Sequence, residues 1–240
     1  MPGLYKDEGV VLKTIKLGEA DRIVTLYTRQ NGKVRAVAKG VRKTKSRFGA
    51  RLEPFTHVSL LIYRGRNLDT ITGAHILTSF DEVRGDYERL MWAAALVESV
   101  EKITEEREES LQVYGLLLSG LAALGQGKGP SVVPAFLIKL LSISGFHPSL
   151  RVCAGCGGTT GLGGFSVSLG GAVCRSCWRD DPGALRLSPE RIALLGELLA
   201  GDFGAPAGAE DLGELNAILQ RYAEFHLERP LRSMHLLQTI

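Results

Sequence analysis

The sequence lacks the short motifs that identify many common enzymes. Its 240 residues contain no G-x-x-x-x-G-K-[ST] phosphate loop, no H-E-x-x-H metalloprotease helix and no G-x-S-x-G nucleophile elbow. The nearest approach to a phosphate loop, Gly125-Gln-Gly-Lys-Gly129, has no hydroxyl residue after its lysine. The acidic run Glu105-Glu-Arg-Glu-Glu109 suggests a solvated charge cluster at a helix end, because a nuclease metal site draws carboxylates from several elements. We therefore expect a protein that is not an enzyme and has no small-molecule substrate.

Long apolar segments are also missing. The longest uncharged stretches are residues 110–127 and 157–173, but polar residues interrupt the first and the second is rich in glycine. The first residues include acidic side chains and no apolar core of signal-peptide length. We therefore expect a cytoplasmic protein with no membrane partner.

Charge is unevenly distributed along the chain. The net charge is +3, yet residues 1–80 alone carry 15 basic and 6 acidic side chains, which is +9. Residues 81–150 carry 6 basic and 10 acidic side chains (−4), and residues 151–240 carry 8 and 10 (−2). Such asymmetry favours a module that binds a polyanion, attached to a body with another role, although a merely solvated basic surface remains an alternative.

The first third has the pattern of a small β-barrel. Short runs rich in Val, Ile, Thr and Tyr predict five strands, at about 8–15, 22–28, 33–39, 57–64 and 68–77. Asn31-Gly32 predicts a type I′ hairpin, and residues 64–67 close a second hairpin. Five strands in about 70 residues are too few for an ordinary sandwich, so we expect a five-stranded OB-fold barrel at residues 1–80.

The remainder predicts helices and a polar insertion, so the fold class is α+β multidomain. Apolar periodicity indicates helices at about 86–107, 110–124, 131–143, 188–199 and 211–228. We expect a helical bundle at 81–150, a cysteine-bearing segment at 151–182, and C-terminal helices at 183–240 that pack on the bundle.

All four cysteines belong to two C-x-x-C pairs, Cys153/Cys156 and Cys174/Cys177. Seventeen residues separate the inner cysteines, as in tetrahedral zinc sites built from four cysteines. Four thiolates leave no position for a reactive water, so we predict one structural Zn²⁺. His147 is a conceivable substitute ligand. A disulfide pair fits less well, since we do not expect the protein to be exported. A thioredoxin-like redox motif also fits less well, because it needs one C-x-x-C and the chain has two.

A basic segment follows the second predicted strand. No acidic residue lies between Lys33 and Arg51, and alternation on a strand directs Lys33, Arg35 and Lys39 away from the barrel core. Few aromatic residues, mainly Tyr27, Phe48 and Tyr63, are available to stack on bases. The predicted DNA-binding residues are Lys33, Arg35, Lys39, Arg42, Lys43, Lys45, Arg47 and Arg51, with Arg64 and Arg66 in the last hairpin.

Several short motifs occur in a fixed order along the chain: Glu8-Gly-Val-Val-Leu12, Gly18-Glu-Ala-Asp-Arg22, Lys39-Gly-Val-Arg-Lys43, Gly145-Phe-His-Pro148 and the two cysteine pairs. In these motifs the sequence resembles the RecO family of bacterial DNA repair and recombination mediators. The resemblance implies binding to single- and double-stranded DNA, annealing of complementary strands, and loading of the recombinase together with RecR and the single-stranded-DNA-binding protein. It also implies association with the nucleoid. One alternative is an RNA- or ribosome-associated factor that combines an OB-fold with a zinc ribbon. Another is a protein-interaction scaffold, which would show no salt-dependent binding to polyanions.

Overall fold

The computed structural model describes residues 3–204 and 208–237. The chain forms two compact units, Met1–Gln126 and Gly127–Ile240. The division after Gln126 falls inside the segment 81–150, so the helices of that segment are shared between the two units. The finer division at residues 80, 150 and 182 stays a prediction.

The first unit contains a closed five-stranded barrel, which confirms the OB-fold expected from the sequence. The strands are β1 (Leu4–Leu17), β2 (Asp21–Thr28), β3 (Gly32–Ala38), β4 (His57–Tyr63) and β5 (Asp69–Thr78). They follow the order β1-β2-β3-β5-β4 around the barrel, and β3 and β5 pair in parallel, over only two residue pairs. A bulge between Val11 and Lys13 bends the long first strand, which pairs with both β2 and β4 and so helps to close the barrel.

The turn between β2 and β3 differs from the predicted type I′ hairpin. Gly32 has φ +59°, but Asn31 is not among the residues with positive φ, so only one of the two residues adopts the left-handed conformation. Three residues, 29–31, connect the strands, and the Thr28 hydroxyl accepts from the Asn31 N–H at 3.2 Å and donates to the Gly32 carbonyl at 3.0 Å. A side chain therefore stabilises a longer turn, which the Asn-Gly pair alone did not predict.

Alternating side chains of the strands fill the barrel, and the loop after β3 adds to this core. Phe48 and Leu52 in that loop are 1% exposed, and a 3-10 turn, Gly49–Leu52, holds the second of them. The other core residues are Val11, Val24, Leu26, Ala36, Ala38, Val41, Val58, Leu60, Ile62, Ile71 and Ala74. The loop is thus fastened to the barrel by its apolar residues while its cations face outward.

Three helices complete the first unit: α1 (Asp81–Arg84), α2 (Tyr87–Ile103) and α3 (Leu111–Gly125). The side chains of Asp86 and Ser110 accept hydrogen bonds from the first turns of α2 and α3. Helix α2 ends at Ile103, earlier than the predicted 107, because Thr104 is extended. The acidic residues 105–109 therefore lie beyond the helix.

The second unit packs α4 (Val132–Ile143) against α6 (Pro189–Ala200) and α7 (Ala209–Leu227). Most of α4 is buried, and Pro134 lies in its first turn. The Ser188 side chain caps α6, and Pro189 is its first residue. Several short elements were not predicted: β6 (Leu162–Ser166), β7 (Gly171–Cys174), α5 (Arg175–Asp180), β8 (Leu185–Arg186) and α8 (Arg232–Leu237). The three strands form one sheet in the order β7-β6-β8.

Within the described parts of the chain, no helix combines the length and the apolar character that crossing a bilayer requires.

Candidate metal centre and nucleic-acid interface

The structure brings all four cysteines together. Their sulfur atoms lie within 4.8 Å of one another, and the Sγ atoms of Cys156 and Cys174 are 3.8 Å apart. A tetrahedral ion with metal–sulfur bonds of about 2.3 Å would separate its sulfurs by about 3.8 Å. The residues present therefore fit a closed four-thiolate metal site. His147 is not part of this cluster; its Nδ1 lies 2.6 Å from the Ser142 hydroxyl.

Backbone hydrogen bonds shape the loop that carries the first cysteine pair. The Cys153 N–H donates to the Gly158 carbonyl at 2.7 Å, and the Gly157 N–H donates back to the Cys153 carbonyl at 2.8 Å. Gly157 adopts φ +75°, a conformation that favours glycine. The second pair is held differently, since Cys174 ends β7 and Cys177 lies in the first turn of α5. The Ala154 N–H in the first pair's loop donates to the Ala172 carbonyl of β7 at 2.8 Å, so this strand positions both pairs.

The environment of Cys153 favours its thiolate. This residue is 2% exposed, and burial opposes its ionisation, yet backbone N–H groups, first that of Cys174 at 3.3 Å, donate to the sulfur and lower its pKa to about 6. A thiolate is the form that binds a metal. Gly155 lies so close to the cluster that a Cβ atom there would be 2.9 Å from the Cys177 sulfur.

The alternation predicted for β3 is confirmed. Val34, Ala36 and Ala38 are buried in the barrel, whereas Lys33 and Arg35 lie on its outer face. The cations on and around this strand do not form one surface. They fall into two groups at opposite ends of β3, a strand of seven residues and therefore about 20 Å long, with Lys33 and Arg35 between them.

The larger group, which we call the loop patch, lies at the end of β3. It consists of Lys39, Arg42, Lys43, Lys45 and Arg47, which are all exposed, together with half-buried Arg51. The Arg42 N–H donates to the Ala20 carbonyl at 2.9 Å, and its guanidinium donates to the Gly18 carbonyl at 3.1 Å, so the loop rests on the β1–β2 turn. Arg47 stacks over the buried Phe48 ring, 4.9 Å from its centroid.

One further cation lies near the loop patch and was not among the predicted DNA-binding residues. Lys16 is exposed and pairs with Arg22 in the β1–β2 hairpin, next to the turn that supports the loop patch. Lys16 lies 23 residues before Lys39 in the sequence, so only the pairing register of the strands shows that it is near this loop. Arg22 itself is engaged in an ion pair with Glu53, at 2.7 Å.

The smaller group, the hairpin patch, is formed by exposed Arg64 and Arg66 between β4 and β5. Arg64 donates to the Asn31 side-chain oxygen at 2.9 Å and stacks over the Tyr5 ring at 5.1 Å. Asn31 belongs to the β2–β3 turn, at the start of β3, so this patch lies at the end of the strand remote from the loop patch. Exposed Tyr63 precedes it, whereas Tyr27 and Phe48 are buried in the core.

Lys33 and Arg35 lie between the patches and already have protein partners. The Lys33 ammonium donates to the carbonyl oxygens of Glu101, at 2.7 Å, and Thr104. The Arg35 guanidinium lies 3.7 Å from the Glu106 carboxylate. These contacts attach the end of α2 and the following acidic residues to the outer face of β3.

Both parts of the chain match one protein family. Residues 1–80 match the family described as Recombination protein O N terminal, and residues 84–235 match Recombination protein O C terminal. The chain belongs to the RecO family. The chain is similar to proteins named DNA repair protein RecO over nearly its whole length and nearly the whole length of each relative. The one from Nocardioides sp. is 49% identical over 96% of this chain and 98% of its own, and those from Frankia casuarinae and Thermobifida fusca are 44% and 43% identical over 98% of each chain. The RecO resemblance drawn from the short motifs is thereby confirmed.

Proposed function

We propose that this RecO-family protein acts in DNA repair as a recombination mediator that binds DNA through its barrel, anneals complementary strands and performs no covalent chemistry. The relatives named above are DNA repair proteins, which supports the general role. The observation that carries the DNA-binding step is the loop patch: five exposed cations on one loop that is fastened to a buried core. In this proposal the protein works in the cytoplasm at the nucleoid.

The physical basis of binding is neutralisation of phosphates. A cluster of exposed lysines and arginines releases counterions from the nucleic acid, so its affinity depends on salt and little on base sequence. Such binding also lowers the repulsion between two strands held on one protein, which favours annealing without a covalent step. Because base-stacking aromatics are few, double-stranded DNA is a ligand as well as single-stranded DNA.

The cysteine cluster holds one structural Zn²⁺ in this proposal. Four sulfur ligands at two C-x-x-C spacings are the donor set that zinc prefers in structural sites, and they leave no open coordination position. When bound, the ion would supply folding stability to the segment around β6, β7 and α5. We further propose that loading of the recombinase involves RecR and the single-stranded-DNA-binding protein as partners.

The experiment is a strand-annealing and binding assay with a charge-reversed loop patch. The variant Lys39→Glu/Arg42→Glu/Lys43→Glu should lose most DNA binding and annealing at low salt while its thermal stability stays almost unchanged. The matched control reverses the charge of three exposed arginines outside the barrel, Arg186, Arg229 and Arg232. This control should retain DNA binding. Equal loss in both variants would contradict a specific role for the loop. A preference for RNA over DNA of the same length would instead favour the RNA-associated alternative.

A further inference from the structure

The acidic segment Glu105–Glu109, which we call the acidic strap, lies at the edge of β3, beside its first residues. The Arg107 N–H donates to the Lys33 carbonyl at 3.0 Å, and Lys33 and Glu106 form an isolated parallel β-bridge. The strap passes so close to the start of β3 that a Cβ atom on Gly32 would lie 1.9 Å from the Glu108 carbonyl oxygen. The strap is therefore packed directly against the barrel.

A buried anchor holds the strap in place. Arg107 is in the left-handed conformation, with φ +65°, and its guanidinium lies 2.8 Å from Asp69, a carboxylate that is 1% exposed. Asp69 also accepts from the Tyr5 hydroxyl at 2.5 Å and from the Gly65 N–H at 3.1 Å. A non-glycine residue adopts this backbone conformation at a cost, which these bonds offset. The strap is thus a fixed part of the fold.

The strap places carboxylates where a nucleic acid would otherwise meet the first half of β3. Its four glutamates are exposed, and that of Glu106 faces Arg35. A phosphodiester approaching Arg35 would have to displace this carboxylate and would meet the negative charge of its neighbours. The two outward cations on β3 itself are therefore already paired within the protein, Lys33 with the end of α2 and Arg35 with Glu106, while those beyond each end of the strand remain accessible.

We propose that the acidic strap and the end of α2 together remove Arg35 and Lys33 from the nucleic-acid interface and divide the barrel cations into two separate phosphate-binding surfaces, the loop patch and the hairpin patch. This inference rests on the proposed DNA-binding function. Two surfaces about 20 Å apart, with negative charge between them, can each hold a strand without one strand occupying both. That arrangement suits a protein that must bring two strands together and let them pair.

The test compares two double variants that change net charge by the same amount. Glu105→Gln/Glu106→Gln neutralises the strap, and Glu82→Gln/Glu88→Gln neutralises two exposed glutamates on α1 and α2. We expect the strap variant to bind single-stranded DNA several-fold more tightly than the control at low salt. Its slope of log K against log salt should also be steeper by about 0.7, the value for one additional phosphate contact. Thermal melting should show that both variants remain folded.

The substitution Arg35→Ala then tests whether Arg35 is the source of the tighter binding and the steeper slope. In the otherwise unaltered protein it should leave DNA binding almost unchanged, whereas in the strap variant it should abolish the added affinity and the added slope. Equal slopes in the strap and control variants, or a large loss of binding from Arg35→Ala alone, would overturn the proposal. If the unaltered protein failed to bind DNA in a salt-dependent way, the proposed function itself would fail, and the two failures are therefore distinguishable.

Discussion

The Arg107 guanidinium lies 2.8 Å from the carboxylate of Asp69, which is almost completely buried at the start of β5. The two residues are 38 positions apart, and their ion pair joins the segment after α2 to the barrel. A buried carboxylate is costly unless it is paired, so this contact stabilises both the barrel and the strap.

Arg107→Ala should therefore lower the free energy of unfolding by about 2 kcal/mol, the usual loss when a hydrogen-bonded partner of a charged group is removed. Asp69 would keep its bonds from Tyr5 and Gly65, which limits the loss. Urea denaturation provides the measurement. Arg66→Ala, at an exposed arginine, serves as the control and should change the stability by less than about 0.5 kcal/mol. Equal stability of the two variants would contradict the anchoring role of Arg107.

Gly32 and Gly18 form a matched pair that measures how closely the strap packs. Both have positive φ, +59° and +57°, but a Cβ atom on Gly18 would meet nothing within 4 Å, whereas one on Gly32 would collide with the Glu108 backbone. Gly18→Ala should cost about 1 kcal/mol for its backbone conformation. Gly32→Ala should cost about 1–3 kcal/mol more, because the strap must move. Similar midpoints in urea for both variants would argue against close packing of the strap.

Stability at high pH should depend on Tyr5. Burial, followed by the hydrogen bond to Asp69, raises the pKa of this phenol to about 12 in the folded protein, from about 10 when unfolded. The folded state thus favours the neutral phenol. Its contribution to stability is complete below pH 10 and declines as the pH rises from 10 towards 12.

Tyr5→Phe separates this effect from those of other tyrosines. The difference in unfolding free energy between the unaltered protein and this variant should be constant below about pH 10 and shrink above it. Denaturation series at several pH values give the measurement. A difference that stays constant up to about pH 12 would show that the raised pKa of Tyr5 does not contribute.

Zinc binding should be sensitive to the space around the sulfurs. Gly155→Ala would place a Cβ atom 2.9 Å from the Cys177 sulfur, whereas Gly158→Ala would place one at an ordinary 3.5 Å from the Cys156 sulfur. We expect the first variant to bind zinc about tenfold more weakly and the second to bind almost normally, as judged by competition with a chelator. Cys153→Ser should lose the metal and aggregate or unfold its segment. Freshly purified protein that contains no zinc would contradict the assignment of the metal.

The strands and the cysteine cluster could be predicted from the sequence because both depend on local spacing. Alternation of apolar residues located all five strands of the barrel, and the two C-x-x-C pairs are close enough in the chain for their spacing to be informative. The turn at Asn31-Gly32 was misjudged because the Thr28 side chain stabilises a three-residue connection. The short strands β6 to β8 have too few residues to show a period.

The surroundings of the cations could not be predicted, because they depend on contacts between distant residues. Lys33 was selected for its place in a basic run, yet its ammonium donates to backbone carbonyls 68 and 71 residues away. Glu106 was interpreted as part of a solvated helix end, yet it lies beside Arg35. Neither contact leaves a periodic signal in the sequence. A count of charges along the chain therefore suggests one basic surface, whereas the fold separates these cations into two patches.

The most direct test of DNA binding by the loop patch is the salt dependence of binding to single-stranded DNA. The unaltered protein and the variant Lys39→Gln/Arg42→Gln/Lys43→Gln would be titrated at several salt concentrations. If these three side chains neutralise phosphates, the slope of log K against log salt should fall in magnitude by about 2, or about 0.7 for each lost contact. An unchanged slope, with binding intact, would contradict the account.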